Sequence, residues 1–196
     1  PPVEDITGRV LSGLGAVGYK SGAPEVERAL AFLEAQRAPN GVWWGRWLVN
    51  YLAGTASIVS GVAAVHAKRE TLPPWFAPAV QWLLDHQNDD GGFGETPLSY
   101  ADASQAGRGP SMPPLTAIVL TALLDARAYE NAQQRPAVER AVAYLLGTQD
   151  PDGFWPNNGW LQVMLPPDQF YEYLGERMCR PLEALALARQ GDAAGA

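Results

Sequence analysis

The chain has 196 residues, 47% of them apolar, and a formal net charge of −7. That length and apolar share suffice for one hydrophobic core, and the negative charge argues against nucleic acid and supplies no polybasic membrane anchor. The lone Cys179 excludes an internal disulfide and fits a reducing, cytoplasmic compartment.

The stretch Pro1-Pro2-Val3-Glu4-Asp5-Ile6-Thr7 has the pattern of a helix start, with prolines outside and acids where the helix dipole favours negative charge. It lacks the basic end and apolar run of a signal peptide. The helix is expected to run through Val10, Leu11 and Leu14 to Gly18. A second, amphipathic helix is expected from Pro24 to Gln36. After the ring-rich Trp43-Trp44-Gly45-Arg46-Trp47-Leu48-Val49-Asn50-Tyr51 comes a helix from Tyr51 to Lys68, apolar nearly all round and therefore buried. Its apolar core, Leu52 to Val65, is too short to span a bilayer, which takes about 20 residues.

Pro73-Pro74 opens the next amphipathic helix, which ends at Gln87. A long polar loop spans Asn88 to Pro114, a length that often serves function. Thr116 to Arg127 has the composition of a second buried helix, and Pro136 to Gln149 that of a third amphipathic one. Pro156 to Pro167 is expected to be irregular. Asp168 to Gly175 and Pro181 to Gln190 are expected as short helices, with residues 191–196 a disordered tail. No β-period stands out. Alternating amphipathic and wholly apolar helices suit a double layer, an all-α α/α barrel with the apolar helices inside; a plain helical bundle is the alternative.

One pattern recurs three times. An aromatic-aliphatic pair precedes a Gln, then a Gly, then a ring: Phe32-Leu33, Gln36, Gly41, Trp43; Trp82-Leu83, Gln87, Gly91, Phe93; Tyr144-Leu145, Gln149, Gly153, Trp155. Such self-similarity marks a repeated unit that needs neighbours to bury its apolar face. The pair and the Gln share one side of a helix end, Gly stops the helix in a left-handed cap, and the ring stacks back on the turn. Gln36, Gln87 and Gln149 can satisfy backbone groups of a neighbouring helix end, so they and their rings are structural residues.

Several chemistries drop out. His66 and His86 are isolated, and with one Cys they build no zinc site. Asn88-Asp89-Asp90-Gly91 has the wrong offsets for a calcium loop, and a turn is the better reading. No phosphate loop or nucleophile elbow is present. No metal and no cofactor are expected.

With these residues in view, the Gln-Gly-ring pattern resembles the QW repeat of triterpene cyclases. Gly45-Arg46-Trp47-Leu48-Val49-Asn50-Tyr51-Leu52-x-Gly54-Thr55 resembles the GRWGVNYLYGT segment of squalene–hopene cyclases. Gln87 to Glu95 resembles their HQNPDGGWGE, and Ser111 to Leu120, loosely, their STPSQTAWAL. Leu165-Pro166 with Phe170-Tyr171-x-Tyr173 resembles their aromatic C-terminal segment. The resemblance runs from Pro1 to about Gln190 and implies the C-terminal part of a catalytic α/α barrel. It implies a class II terpene cyclase: an Asp-x-Asp-Asp acid protonates an alkene, and a linear isoprenoid such as squalene closes through carbocations steadied by ring faces. The partners it implies are an apolar isoprenoid, an upstream part of the cyclase and, for a peripheral enzyme, monotopic contact with the cytoplasmic membrane. Without an acid in this chain, the alternative is a non-catalytic barrel domain binding a prenyl chain or partner subunit.

By the same resemblance, Asp5 orients or relays a proton to the upstream acid, or else caps its helix. Arg9 stands where some hopene cyclases carry a His, or is a surface arginine. Trp47, Asn50, Tyr51, Leu165, Phe170 and Tyr173 line the substrate cavity, or pack as ordinary core. Ala53, Leu165, Gln169 and Glu176 replace rings of the family, which points to a shorter or functionalised prenyl substrate.

Overall fold

The computed structural model describes residues 2–66, 71–156 and 158–194. Among them the chain forms seven α-helices: α1 Glu4–Ala16, α2 Pro24–Ala35, α3 Tyr51–Val65, α4 Phe76–Asp85, α5 Pro113–Asp125, α6 Arg135–Thr148 and α7 Glu176–Ala194. The expected end of α3 at Lys68 lies outside the described residues.

Two layers follow from composition. α3 and α5 are apolar on almost every side and are buried along most of their length. They form the middle of a row in which α1 packs on α3, α3 on α5, and α5 on α7. The amphipathic helices flank that row: α2 against α1, α4 against α3, and α6 against α5 and α7. This is the expected α/α layering, with apolar helices inside and Gln-terminated helices outside.

Close approach inside the row depends on small residues. α1 and α3 run side by side in the same direction, Gly8 facing Ser57 and Gly15 facing Ala64. A Cβ on Gly61 would lie 2.1 Å from the Gly8 carbonyl oxygen, so the two backbones touch directly. At the repeat turns, Gly41, Gly91 and Gly153 all take φ of +86°, the left-handed cap that other residues resist.

Three expectations need correction. The expected helix over Asp168–Gly175 is a strand and turn: β1 Gln162–Leu165 pairs antiparallel with β2 Gln169–Tyr171. The segment from Pro156 to Pro167 therefore ends in a strand. Its apolar run is too short to separate strand from helix by periodicity, and the partner that decides it is remote: Leu48 bridges Gln162, and the Val49 N–H donates to the Leu161 carbonyl. Second, α7 starts at Glu176, ahead of Pro181, and continues to Ala194, past Gln190. Pro181 removes only the bond to the Arg177 carbonyl, while Glu176 and Arg180 pair one turn apart at a helix start that favours the acid. Third, α5 begins at Pro113, because prolines fit a helix's first turn.

Candidate active site

The connections that lead into the inner helices gather at one end of the row. Residues 36–50 enter α3, 86–112 enter α5 and 149–175 enter α7. The strap 43–52 lies at the centre of this end, and its backbone is gripped by side chains from elsewhere. Asp5 is buried; its Oδ2 accepts the N–H groups of Arg46 and Trp47, each at 3.1 Å. Its Oδ1 accepts the Ile6 N–H at 2.9 Å. Asn50 is fully buried: its Oδ1 accepts the Gly45 N–H, and its Nδ2 donates to Ser99 Oγ. The Tyr100 hydroxyl donates to the carbonyls of Gly45 (2.8 Å) and Leu48 (3.2 Å).

Glu95 completes the grip. Its Oε2 accepts from Leu52 N at 2.7 Å and Asn50 N at 3.3 Å, and its Oε1 from Tyr51 N at 3.1 Å. These are the amides that a helix start leaves without partners. Burial pushes the Glu95 carboxyl up, against the pull of its bonds from Leu52, Ser99, Tyr51 and Gly107. Burial also pushes the Tyr51 and Tyr100 phenols up, with the Glu95 charge adding to both.

On this base the rings are presented outward. Trp47 is 40% exposed and carries the Arg46 guanidinium 4.5 Å from its ring centroid. Arg46 also donates to the Met164 carbonyl, which joins strap to hairpin. Trp44 meets Tyr100 edge to face at 5.3 Å. Leu165 joins Trp44, Arg46, Tyr100, Pro166 and Pro167 around a hollow of about 240 Å³. Phe170 is half-buried with its ring 6.3 Å from Trp160, Tyr51 is half-buried, and Tyr173 is 63% exposed. Strap and hairpin thus bring Trp47, Leu165 and Phe170 to the same end of the molecule, while Asn50 lies beneath as part of the support.

A second, larger hollow of about 590 Å³ runs between α1, α3, α5 and α7. Arg9 lies on its wall, exposed, with Ser12, Ser57, Ser60, Thr121 and Asp125 opposite Arg180 and Glu183. Burial pushes the Asp125 carboxyl up, and a bond with Ser60 opposes that. Asp90 accepts from Gly92 N and Ser111 Oγ, so the Asn88–Gly91 segment is the expected turn. Among the described residues no His, Cys, Asp or Glu cluster could hold a metal ion.

Sequence reasoning passed over Glu95, Ser99 and Tyr100. Glu95 and Tyr100 bond backbone groups of the strap, which leave no mark in a side-chain pattern. It also missed that Thr55 and Thr116 take matching places on α3 and α5, accepting the N–H of Trp43 and Phe93, the rings of two repeats.

A row of inner helices with amphipathic helices outside and ring-bearing loops at one end defines an α/α barrel of the terpene cyclase type. Solved structures share that fold. A type II terpene cyclase, MstE from Scytonema, aligns at a TM-score of 0.60 and 19% identity, over 96% of this chain and 55% of its own. An ent-copalyl diphosphate synthase from Streptomyces platensis aligns at 0.65 and 18%, over 97% and 33%. The family model for the squalene–hopene cyclase C-terminal domain matches residues 1–190, and the chain belongs to that family. The squalene–hopene cyclase of Alicyclobacillus acidocaldarius is 39% identical over 190 residues, 97% of this chain. The probable squalene–hopene cyclase of Sinorhizobium fredii is 35% identical over 191 residues, 96% of this chain. The chain spans 29% of the length of each of these two relatives.

Proposed function

We propose that this chain forms the C-terminal part of the catalytic barrel of a class II terpene cyclase, which folds a linear isoprenoid and closes it through carbocations. The observation that carries the reading is the strap-and-hairpin end: rings held outward on a buried, fully hydrogen-bonded support, in a chain of the squalene–hopene cyclase family. Ring faces stabilise a passing cation by about 0.5–2 kcal/mol each. A site closed to water protects the cation from early quenching.

In this reading Trp47, Tyr51, Leu165, Phe170 and Tyr173 face the isoprenoid, and Asn50 holds Trp47 and Tyr51 in place from below. Asp5 fixes the strap beside a proton-donating Asp-x-Asp-Asp contributed by an upstream part of the protein, since both its oxygens are engaged by backbone N–H groups of Ile6, Arg46 and Trp47. Arg9, one turn further along α1, faces the same acid. The repeat residues Gln36, Trp43, Gln87, Phe93, Gln149 and Trp155 staple the layers. Residues 1–190 act as one unit of the barrel. No helix among the described residues is long and apolar enough to cross a membrane; an apolar substrate drawn from a bilayer suits monotopic contact at the cytoplasmic face.

The test is product analysis by gas chromatography after incubation with squalene and with shorter prenyl alkenes. The full gene product carrying Asp-x-Asp-Asp is expected to give cyclic products, and residues 1–196 alone none. Prenyl binding without any cyclic product from the full protein would make this a non-catalytic barrel. Product from residues 1–196 alone, lost in Asp5→Asn, would make Asp5 the acid.

A further inference from the structure

We propose that Glu95 is a positioning residue of this site: its buried carboxylate, delivered from the loop entering α5, caps α3 and fixes the pose of the ring-bearing strap 44–51. The inference rests on the cyclase reading above and adds to it a residue that touches no substrate.

The local sequence at the start of α3 does not cap it. The N-cap residue, Asn50, makes no side-chain bond to the helix's first amides, because its amide group is committed to Gly45 and Ser99. The amides of Asn50, Tyr51 and Leu52 turn instead to Glu95, a residue 2% exposed on a different connection. Burying a carboxylate is costly unless its oxygens are bonded, and a helix N-terminus supplies both donors and a favourable dipole. Here both oxygens are used, and no buried polar side-chain atom among the described residues lacks a partner.

The same connection also grips the strap in the opposite sense. Tyr100, on the short turn Pro97–Tyr100 just after Glu95, donates its hydroxyl to the carbonyls of Gly45 and Leu48. Glu95 accepts strap amides, and Tyr100 donates to strap carbonyls. A strap bonded through both kinds of backbone group cannot slide or roll without breaking both sets. Tyr51 leaves the backbone at an amide that Glu95 holds directly. Trp47 lies three residues ahead of that clamp, between the two carbonyls held by Tyr100 and on an amide held by Asp5. Glu95 therefore sets the Tyr51 ring and closes the C-terminal end of the segment that carries Trp47. Ser99 ties the anchors together: it bonds Glu95 and accepts from Asn50 Nδ2.

The test uses the full-length protein with Glu95→Gln, which keeps the side chain's size but replaces one acceptor oxygen by an amide NH2 donor facing backbone N–H groups. Leu145→Ala, in the outer layer away from the strap, serves as the control for lost stability. Two readouts are taken: hydrogen exchange in the segment 44–52, and the ratio of cyclic products from the best substrate. Exchange of the Tyr51 and Leu52 amides is expected to rise about tenfold in Glu95→Gln, as lost amide bonds predict. The product ratio is expected to shift toward incompletely closed rings, while Leu145→Ala lowers the thermal midpoint and keeps the ratio. Unchanged exchange in the strap overturns the proposal, as does an equal product shift in Leu145→Ala. If Glu95→Gln does not fold, Glu95→Asp, which keeps the charge one methylene short of the amides, is judged by the same readouts. A wild type that forms no cyclic product removes the cyclase reading, and the exchange result then decides the clamp alone.

Discussion

The repeat turns and the strap at 43–52 are both loops fixed by side chains, yet they are fixed over different distances. In the third repeat, Gln149 Nε2 donates to the Gly153 carbonyl four residues on, and Trp155 Nε1 donates back to the Leu145 carbonyl ten residues earlier. In the first, Trp43 Nε1 donates to the Leu33 carbonyl in the same way. The strap's anchors, Asp5 and Glu95, lie more than forty residues away on either side. A repeat turn closes on itself and can recur. The strap is held only with two other parts of the chain in place. The second repeat is intermediate: Phe93 has no ring N–H to give, and Gln87 Nε2 bonds both its own Gly91 carbonyl and the Ala137 carbonyl in α6, with Arg140 donating to Gln87 Oε1.

If the third repeat is a self-contained staple, its ring is the largest single contributor. Trp155 is fully buried and bonded. Trp155→Ala is expected to cost about 3–5 kcal/mol, which lowers the thermal midpoint by roughly 6–20 °C for a domain of this size. An unchanged midpoint would show that the turn is held by something other than its ring.

Next in size is the contrast between two glutamines. Gln87 is half-buried and bridges two helices, whereas Gln149 is more exposed and bonds only within its own turn among the contacts seen. Gln87→Ala is expected to cost about 1–3 kcal/mol, since it strands buried partners, and Gln149→Ala about 0.5–1 kcal/mol. Chemical denaturation of both variants checks the order. Equal losses, or a larger one at Gln149, would erase the distinction between a local and a bridging repeat.

That same distance separates what the sequence discloses from what it hides. Gln36, Gln87 and Gln149 with their glycines and rings are visible because each repeat lies within about twelve residues of sequence and recurs in register. The Gln87–Gly91, Gln149–Gly153, Trp43–Leu33 and Trp155–Leu145 bonds span ten residues or fewer. The inner helices are visible because α3 and α5 are apolar on almost every face. Glu95 is hidden because its partners are the amides of Asn50–Leu52, which any residue offers and no side-chain pattern marks. The hairpin is hidden for a related reason: β1 owes its strand to Leu48 and Val49 as much as to β2. Among the candidate site residues, Trp47 and Leu165 reach the exposed end as lining residues would, whereas Asn50 is a buried support that the composition of its segment could not distinguish from a wall.

The smallest expected effect tests how consecutive repeats touch. Tyr144, the ring of the third repeat's aromatic-aliphatic pair, packs close to Gly92, just past the second repeat's turn glycine. Burial pushes its phenol up to about 12, and the Asp90 charge adds to the shift. The folded protein therefore holds this proton after the unfolded chain, titrating near its ordinary value of 10.0, has released it. A raised folded value means stability is full below pH 10 and falls as pH rises toward 12. Tyr144→Phe keeps the ring and removes the ionisation, so it should lose less stability than wild type across that window. Tyr51 and Tyr100 ionise in both proteins and cancel in the difference. Because Tyr144 is partly open to solvent, screening keeps the gap below the effect of losing Trp155 or Gln87. The measurement is the denaturation midpoint of both proteins from pH 8 to 12. Curves that stay parallel through the window would mean that the phenol is solvated in the fold and that the second turn does not cover it.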